Sequence, residues 1–162
     1  MGISKSVAKY SIWGFLALAA FLAGLWVSNM LSYDFKTVEG KKYKQANLKN
    51  NIVLVNYFAE WCAPCLREIP ELNEFYHQAG DKVKLFAVSF DNLNEKQLKQ
   101  IKAKYNIEFP LISTFKTEFA FDKPQYLPAT FIIKPSGEVA GQLLGEQTAK
   151  GLQEAISTFQ ID

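Results

Sequence analysis

The sequence predicts an α/β fold in which a mixed central sheet containing parallel strand pairs is flanked by helices, preceded by one N-terminal transmembrane helix. Three observations carry this expectation. Strand-like and helix-like segments alternate from residue 52 onward, the order that builds sheets with parallel pairs. An apolar, β-branched run from Ile52 to Phe58 delivers Trp61-Cys62-Ala63-Pro64-Cys65 into the start of an amphipathic helix. Finally, no residue from Tyr10 to Tyr33 is charged.

That uncharged segment of about 24 residues would run roughly 36 Å as a helix and span a bilayer core. Trp13 and Trp26 lie near its ends, with Tyr10 and Tyr33 beyond them, where interfacial aromatics belong. Residues 1–33 therefore read as a membrane anchor, with a helix over about 11–31, and residues 34–162 as one further domain. A cleaved signal peptide is the rival reading, because Lys5 and Lys9 make a basic leader and Ala17-Leu18-Ala19 suits cleavage. The hydrophobic run is too long for that reading. Lys36, Lys41, Lys42 and Lys44 crowd the far side of the span, so a bare lysine count argues against an outward-facing domain, although long folded domains translocate largely regardless of charge.

Within residues 34–162, Phe35 to Tyr43 reads as a short hairpin around Glu39-Gly40, and Ile52 to Phe58 as a strand buried on both faces. A helix over Ala63–Gly80 follows, then a strand over Val83–Phe90. Asn94 caps a helix whose apolar residues Leu98, Ile101 and Tyr105 recur at helical spacing. Ala129–Ile133 and Glu138–Leu144 form a hairpin around Pro135-Ser136-Gly137, and Thr148–Phe159 closes as a helix.

Cys62 and Cys65 are the only cysteines. Three residues apart on a helical turn, they can bridge or stand open without moving the backbone far. Free N–H groups and the positive dipole end at the helix start favour a thiolate at Cys62, the attacking sulfur in disulfide exchange; Cys65, one turn inside, would resolve the mixed disulfide. A bridge closing so small a loop would be a poor structural staple. A zinc site would need a further Cys or His pair, and only His77 is present, so no metal is expected.

Trp61-Cys62-Ala63-Pro64-Cys65, Pro70, Glu68 in a Cys-Xaa-Xaa-Cys-Xaa-Xaa-Glu pattern, and Leu127-Pro128-Ala129-Thr130-Phe131 occur in one order. On these motifs the chain, over roughly residues 35–160, resembles the thioredoxin superfamily, and within it the membrane-anchored TlpA/ResA/DsbE-like thiol-disulfide reductases. The resemblance implies a thioredoxin-like fold with an N-terminal hairpin and a central insertion at Asp91–Pro124. It also implies a helix kink at Pro70, and a cis-proline at Pro128 whose loop faces the dithiol, with Leu127 offering its backbone to an incoming peptide.

Asn56 stands where cytoplasmic thioredoxins carry a buried aspartate, and a neutral amide cannot accept the proton that Cys65 releases. Glu68, one turn past Cys65, can; the alternative is a solvated carboxylate. Trp61 offers a flat apolar contact beside the sulfurs. Glu60 is expected in water, and Arg67 in a surface ion pair with Glu68 or biasing substrate charge. His77 reads as a surface side chain, and Phe115, Phe119 and Phe121 as core or an apolar patch.

Together these features describe an extracytoplasmic, single-pass thiol-disulfide oxidoreductase of a bacterial inner membrane, its catalytic domain facing the periplasm or exterior. It would reduce protein disulfides with Cys62, Cys65 and Glu68 as catalytic residues and Trp61, Leu127 and Pro128 binding substrate. No cofactor is implied. Lacking a cytosolic-type thiol pool, it would draw electrons from a membrane thiol-disulfide relay protein. Apocytochrome c reduction is the task the resemblance suggests, although Tyr126 replaces the glycine that cytochrome-maturation members commonly carry two residues before the cis-proline. A Cu(I) metallochaperone for respiratory oxidase assembly is the alternative, since thiolates suit Cu(I); the wider cysteine spacing and distal histidine usual in such carriers are missing. A net charge of +2 excludes an electrostatic case for nucleic acid.

Overall fold

In the computed structural model the backbone is described for residues 5–158 and side chains for residues 13–26 and 32–158. The chain divides into two units, residues 1–32 and 33–162. Of the first unit, the described backbone from Lys5 to Leu31 forms one helix, α1 (Lys5–Leu31), 27 residues long. Its described side chains, residues 13–26, are all exposed, Trp13 and Trp26 among them. Among the described residues no helix is long and apolar enough to cross a membrane. The expected span over 11–31 takes in side chains outside the described residues at both ends, as do Lys5, Lys9 and Tyr10.

The second unit is a seven-stranded sheet in the order β2-β1-β5-β4-β3-β6-β7. Its strands are β1 (Phe35–Thr37), β2 (Lys42–Tyr43), β3 (Ile52–Phe58), β4 (Val83–Ser89), β5 (Leu111–Phe115), β6 (Ala129–Ile133) and β7 (Val139–Leu144). The helices are α2 (Ala63–Gln78), α3 (Glu95–Lys104) and α4 (Ala149–Ser157). Strands β3, β4 and β5 are parallel, while β6 runs antiparallel to β3 and the edge pairs are antiparallel. This is the mixed sheet expected.

Local chemistry explains the boundaries. Gly40 at φ +84° and Gly137 at φ +93° turn the two hairpins in the left-handed region that glycine adopts without cost. Asn94 accepts from the Gln97 N–H while the Gln97 side chain reaches back to the Asn94 N–H, each at 3.0 Å, a capping box starting α3. Thr148 caps α4 through the Gly151 N–H, so Thr148 itself lies outside the helix; of the expected end, Phe159 falls outside the described residues. Pro70 lies inside α2, which runs unbroken to Gln78, two residues short of the expected end.

The strand β5 was not expected. Only Leu111 and Ile112 of it are buried, so Leu-Ile-Ser-Thr-Phe shows neither a continuous apolar run nor a full alternation. It completes a parallel unit with β4 and α3, which makes the 91–124 segment a helix-and-strand addition to the sheet rather than a loop. Strand β3 lies inside the sheet between β4 and β6, with Ile52 through Asn56 all buried. Leu54 faces a core shared with α2, α3 and α4 (Leu72, Phe75, Leu98, Leu152), whereas Val53 and Val55 face an aromatic core of Phe35, Phe86, Phe119 and Phe131. Each such side chain contributes about 1.5–3 kcal/mol by leaving water. Phe119 is buried, and Phe115 and Phe121 pack against this second core.

Candidate active site

Strand β3 ends at Phe58, and the chain turns through Ala59–Trp61 to place Cys62 as the N-cap of α2. Cys62 and Cys65 are joined in a disulfide with Cα atoms 5.3 Å apart, and the Cys62 Sγ accepts from the Cys65 N–H at 3.3 Å. Pro64 sits in the first turn, where its missing N–H costs nothing. Cys62 is 6% exposed and Cys65 fully buried, an asymmetry matching the outer and inner sulfurs expected from the sequence. Sulfur beside unpaired N–H groups at a helix start is stabilised as thiolate when the bridge opens.

Trp61 projects into solvent, 66% exposed. Its Nε1–H donates to Asp91 Oδ2 at 3.0 Å and its ring meets Phe90 edge-on. The loop after β4 thus fixes the indole beside the disulfide, and nothing in the sequence linked Asp91 to Trp61.

Glu68 does not reach water. It is 1% exposed, one helical turn past Cys65 and turned into the protein. Its Oε1 accepts from Asn56 Nδ2 at 2.7 Å and its Oε2 from the Gln147 N–H at 3.0 Å. Burial raises the Glu68 pKa to about 7, outweighing the Gln147 and Asn56 hydrogen bonds that favour the anion; nearby Glu146 pushes the same way as burial. A carboxyl poised near neutrality can take and give a proton at working pH.

Asn56 is therefore more than a missing aspartate. Its amide nitrogen also donates to Thr130 Oγ1 at 3.0 Å, a pairing set by the β3–β6 register, in which Asn56 lies opposite Thr130. One signal in the sequence pointed here: Asn56 is the single side-chain amide inside an apolar strand run, and a buried polar group requires partners. Its partners come from 12 and 74 residues away, which no local pattern reveals.

The same register places the loop before β6. With Tyr57 opposite Ala129, the ladder continued by one step sets Pro128 beside Phe58, at the sheet end from which the cysteines emerge. The Leu127–Pro128 peptide is cis. Pro128 is buried with its carbonyl accepting from the Gly145 N–H at 2.9 Å, and Leu127 is half-buried. Tyr126 is 69% exposed beside them.

Three residues of α2 grip the segment leading into α4. Arg67 pairs with Glu146, Glu68 with the Gln147 N–H, and Glu71 Oε2 with the Ala149 N–H at 2.9 Å. The expected Arg67–Glu68 surface pair does not form, because Glu68 turns inward while Arg67 stays exposed. Glu60 is exposed as expected and accepts from Lys104 and Tyr105. His77 is an exposed side chain paired with Glu108. Among the described residues no cluster of three or more His, Cys, Asp or Glu could hold a metal.

Comparison with known proteins agrees with this geometry. Residues 29–142 match the model of the AhpC/TSA family. The thiol-disulfide oxidoreductase ResA of Bacillus anthracis is 32% identical over 126 residues, covering 72% of this chain and 68% of its own. The thioredoxin-like protein YneN of Bacillus subtilis is 28% identical, covering 76% and 74%. Among solved structures, StoA from Bacillus subtilis superposes with a TM-score of 0.62 at 25% identity, over 75% of this chain and 93% of that one.

Proposed function

We propose that this chain, which belongs to the AhpC/TSA family and is a thiol-disulfide oxidoreductase of thioredoxin-like fold, acts chiefly as a reductase of protein disulfides, held at the outer face of a bacterial membrane by α1. The observation that carries the exchange chemistry is the Cys62–Cys65 disulfide at the start of α2, with the Glu68 carboxyl buried one turn past Cys65.

In the reduced protein the Cys62 thiolate attacks one sulfur of a substrate disulfide. A Cys62–substrate bond forms, the substrate S–S bond breaks, and the first substrate thiol leaves with a proton from water. Cys65 then passes its proton to the Glu68 carboxylate and attacks Cys62 Sγ. The intramolecular disulfide forms, the second substrate thiol is released, and two electrons have moved from the dithiol to the substrate. Leu127 and Pro128 dock the substrate backbone beside the sulfurs, and Trp61 covers the bond with an apolar face. A membrane thiol-disulfide relay protein returns two electrons to open the bridge again. Apocytochrome c is the substrate that the resemblance suggests.

The membrane placement draws support from the sequence: α1 has 27 residues, roughly 40 Å of helix, and the chain from Tyr10 to Tyr33 carries no charge. Substituting Cys65→Ser removes the resolving sulfur and should leave Cys62 covalently joined to its substrate in cells. Recovery of such adducts, identified by mass spectrometry, supports exchange at Cys62; their absence, with the variant protein present and folded, refutes it.

A further inference from the structure

Some lysines of the second unit pair with carboxylates and others do not. Lys36, Lys99, Lys102, Lys104 and Lys150 each pair with a carboxylate. Lys41, Lys42 and Lys116 have no such pair among the described residues, and all three are exposed. Two of them, Lys42 and Lys116, meet at one ring. Lys42 Nζ lies 4.9 Å and Lys116 Nζ 4.1 Å from the centre of the Tyr33 ring, and Lys41 Nζ lies 5.1 Å from that of Tyr43. Tyr33 follows the last residue of α1, Leu31, by two positions.

Lys42 comes from β2, and Lys116 follows β5, where its backbone N–H donates to the Asp34 carbonyl at 2.6 Å. Two strands thus bring two ammonium groups onto one ring. The ring face favours each cation singly, but like charges gathered together repel unless an anion joins them. Two acids lie close by in the chain: Asp34, whose carboxylate accepts from the Gln45 N–H at 2.7 Å, and exposed Glu118, two residues past Lys116. A tyrosine two residues beyond an apolar helix is placed where the headgroups of a bilayer would lie.

We infer that Tyr33 with Lys42 and Lys116 forms a basic collar that binds the phosphates of anionic lipid headgroups. This rests on the reading of α1 as an anchor. Each ammonium keeps N–H donors for a phosphate oxygen while its charge rests on the ring, and the clustered charges add near an anionic surface.

The test uses the full chain reconstituted into phosphatidylcholine vesicles, with or without about 30 mol % phosphatidylglycerol. Lysine acetylation rates are read residue by residue by mass spectrometry, with Lys99 and Lys150 as references, and flotation of the same vesicles reports anchoring. Acetylation of Lys42 and Lys116 should slow roughly five-fold in anionic vesicles and recover at about 1 M salt, where the Debye length is about 3 Å. Lys99 and Lys150 should not change. A Lys116→Gln substitution should bring Lys42 back toward its neutral-vesicle rate. Flotation with both lipids and equal lysine rates overturns the collar and leaves the anchor standing. Flotation only with anionic lipid, reversed by salt, overturns the anchor on which the collar rests; flotation with neither overturns both.

Discussion

Replacing Glu68 with Gln tests whether the buried carboxyl is held near neutrality by its surroundings. Moving the Glu68 pKa from 4.5 to about 7 is worth about 3 kcal/mol, at 1.36 kcal/mol per unit. The sign follows from proton uptake: the folded state binds this proton more tightly than the unfolded chain. Its stabilising contribution is therefore complete below pH 4.5 and is lost as pH rises through about 7. A glutamine has no such dependence. It also offers one oxygen to two donors, Asn56 Nδ2 and the Gln147 N–H, so one is left facing an amide N–H₂, at a pH-independent cost of about 1–3 kcal/mol. Glu68→Gln should thus be less stable than the parent in acid and draw level with it or pass it above neutrality. Urea unfolding of both oxidised proteins in mild detergent, repeated from about pH 4.5 to 8, gives the difference curve. Glu39, Glu60, Glu95 and Glu108, all lowered by hydrogen-bond partners, lose stability in the opposite direction, as pH falls, but are common to both proteins and cancel. A difference that stays flat across the range would refute the raised pKa.

Other expectations follow from the same geometry. In the reduced protein, Glu68→Gln should slow disulfide exchange and change the pH profile of cysteine alkylation; superimposable profiles would return Glu68 to a structural role. Asn56→Ala removes a hydrogen bond that favours the Glu68 anion, so the midpoint of the same stability curve should move to higher pH. Cys62→Ser should abolish insulin disulfide reduction with an unchanged circular dichroism spectrum, and an active variant would reassign the nucleophile. Leu72→Ala, fully buried between helix and sheet, should cost about 2–5 kcal/mol in urea unfolding. If α1 anchors the chain with the second unit outside, impermeant thiol reagents should label Cys62 in intact cells after mild reduction; labelling only after lysis would reverse the orientation.

Features generated by neighbouring residues were legible in the sequence. The β3 boundaries, the Asn94 cap, the turn at Gly137 and the helix start at Cys62 all arise from interactions a few residues long. Glu68 could be placed on a helix turn beyond Cys65, but helical spacing gives direction only relative to the helix. Its burial depends on where β6 and α4 lie, through Thr130 and Gln147. Arg67 pairs with Glu146 rather than Glu68 for the same reason, its partner lying 79 residues away. Strand β5 escaped because its pairing to β4 reaches only Leu111 and Ile112, too short a stretch to imprint a periodicity.

The grip of α2 on the start of α4 has a consequence for the order in which the chain becomes competent. Synthesis runs from the N-terminus, so Cys62, Cys65 and Glu68 emerge long before Gln147, the partner of Glu68 79 residues later. Until that late segment docks, Glu68 lacks both its enclosure and one of its two donors and behaves as an ordinary carboxylic acid. The cysteines exist early, but the Glu68 carboxyl acquires its near-neutral proton affinity only when one of the last elements of the fold closes over it. The buried environment of Glu68 is thereby complete only once the domain is, and a nascent chain carries its two cysteines ahead of it.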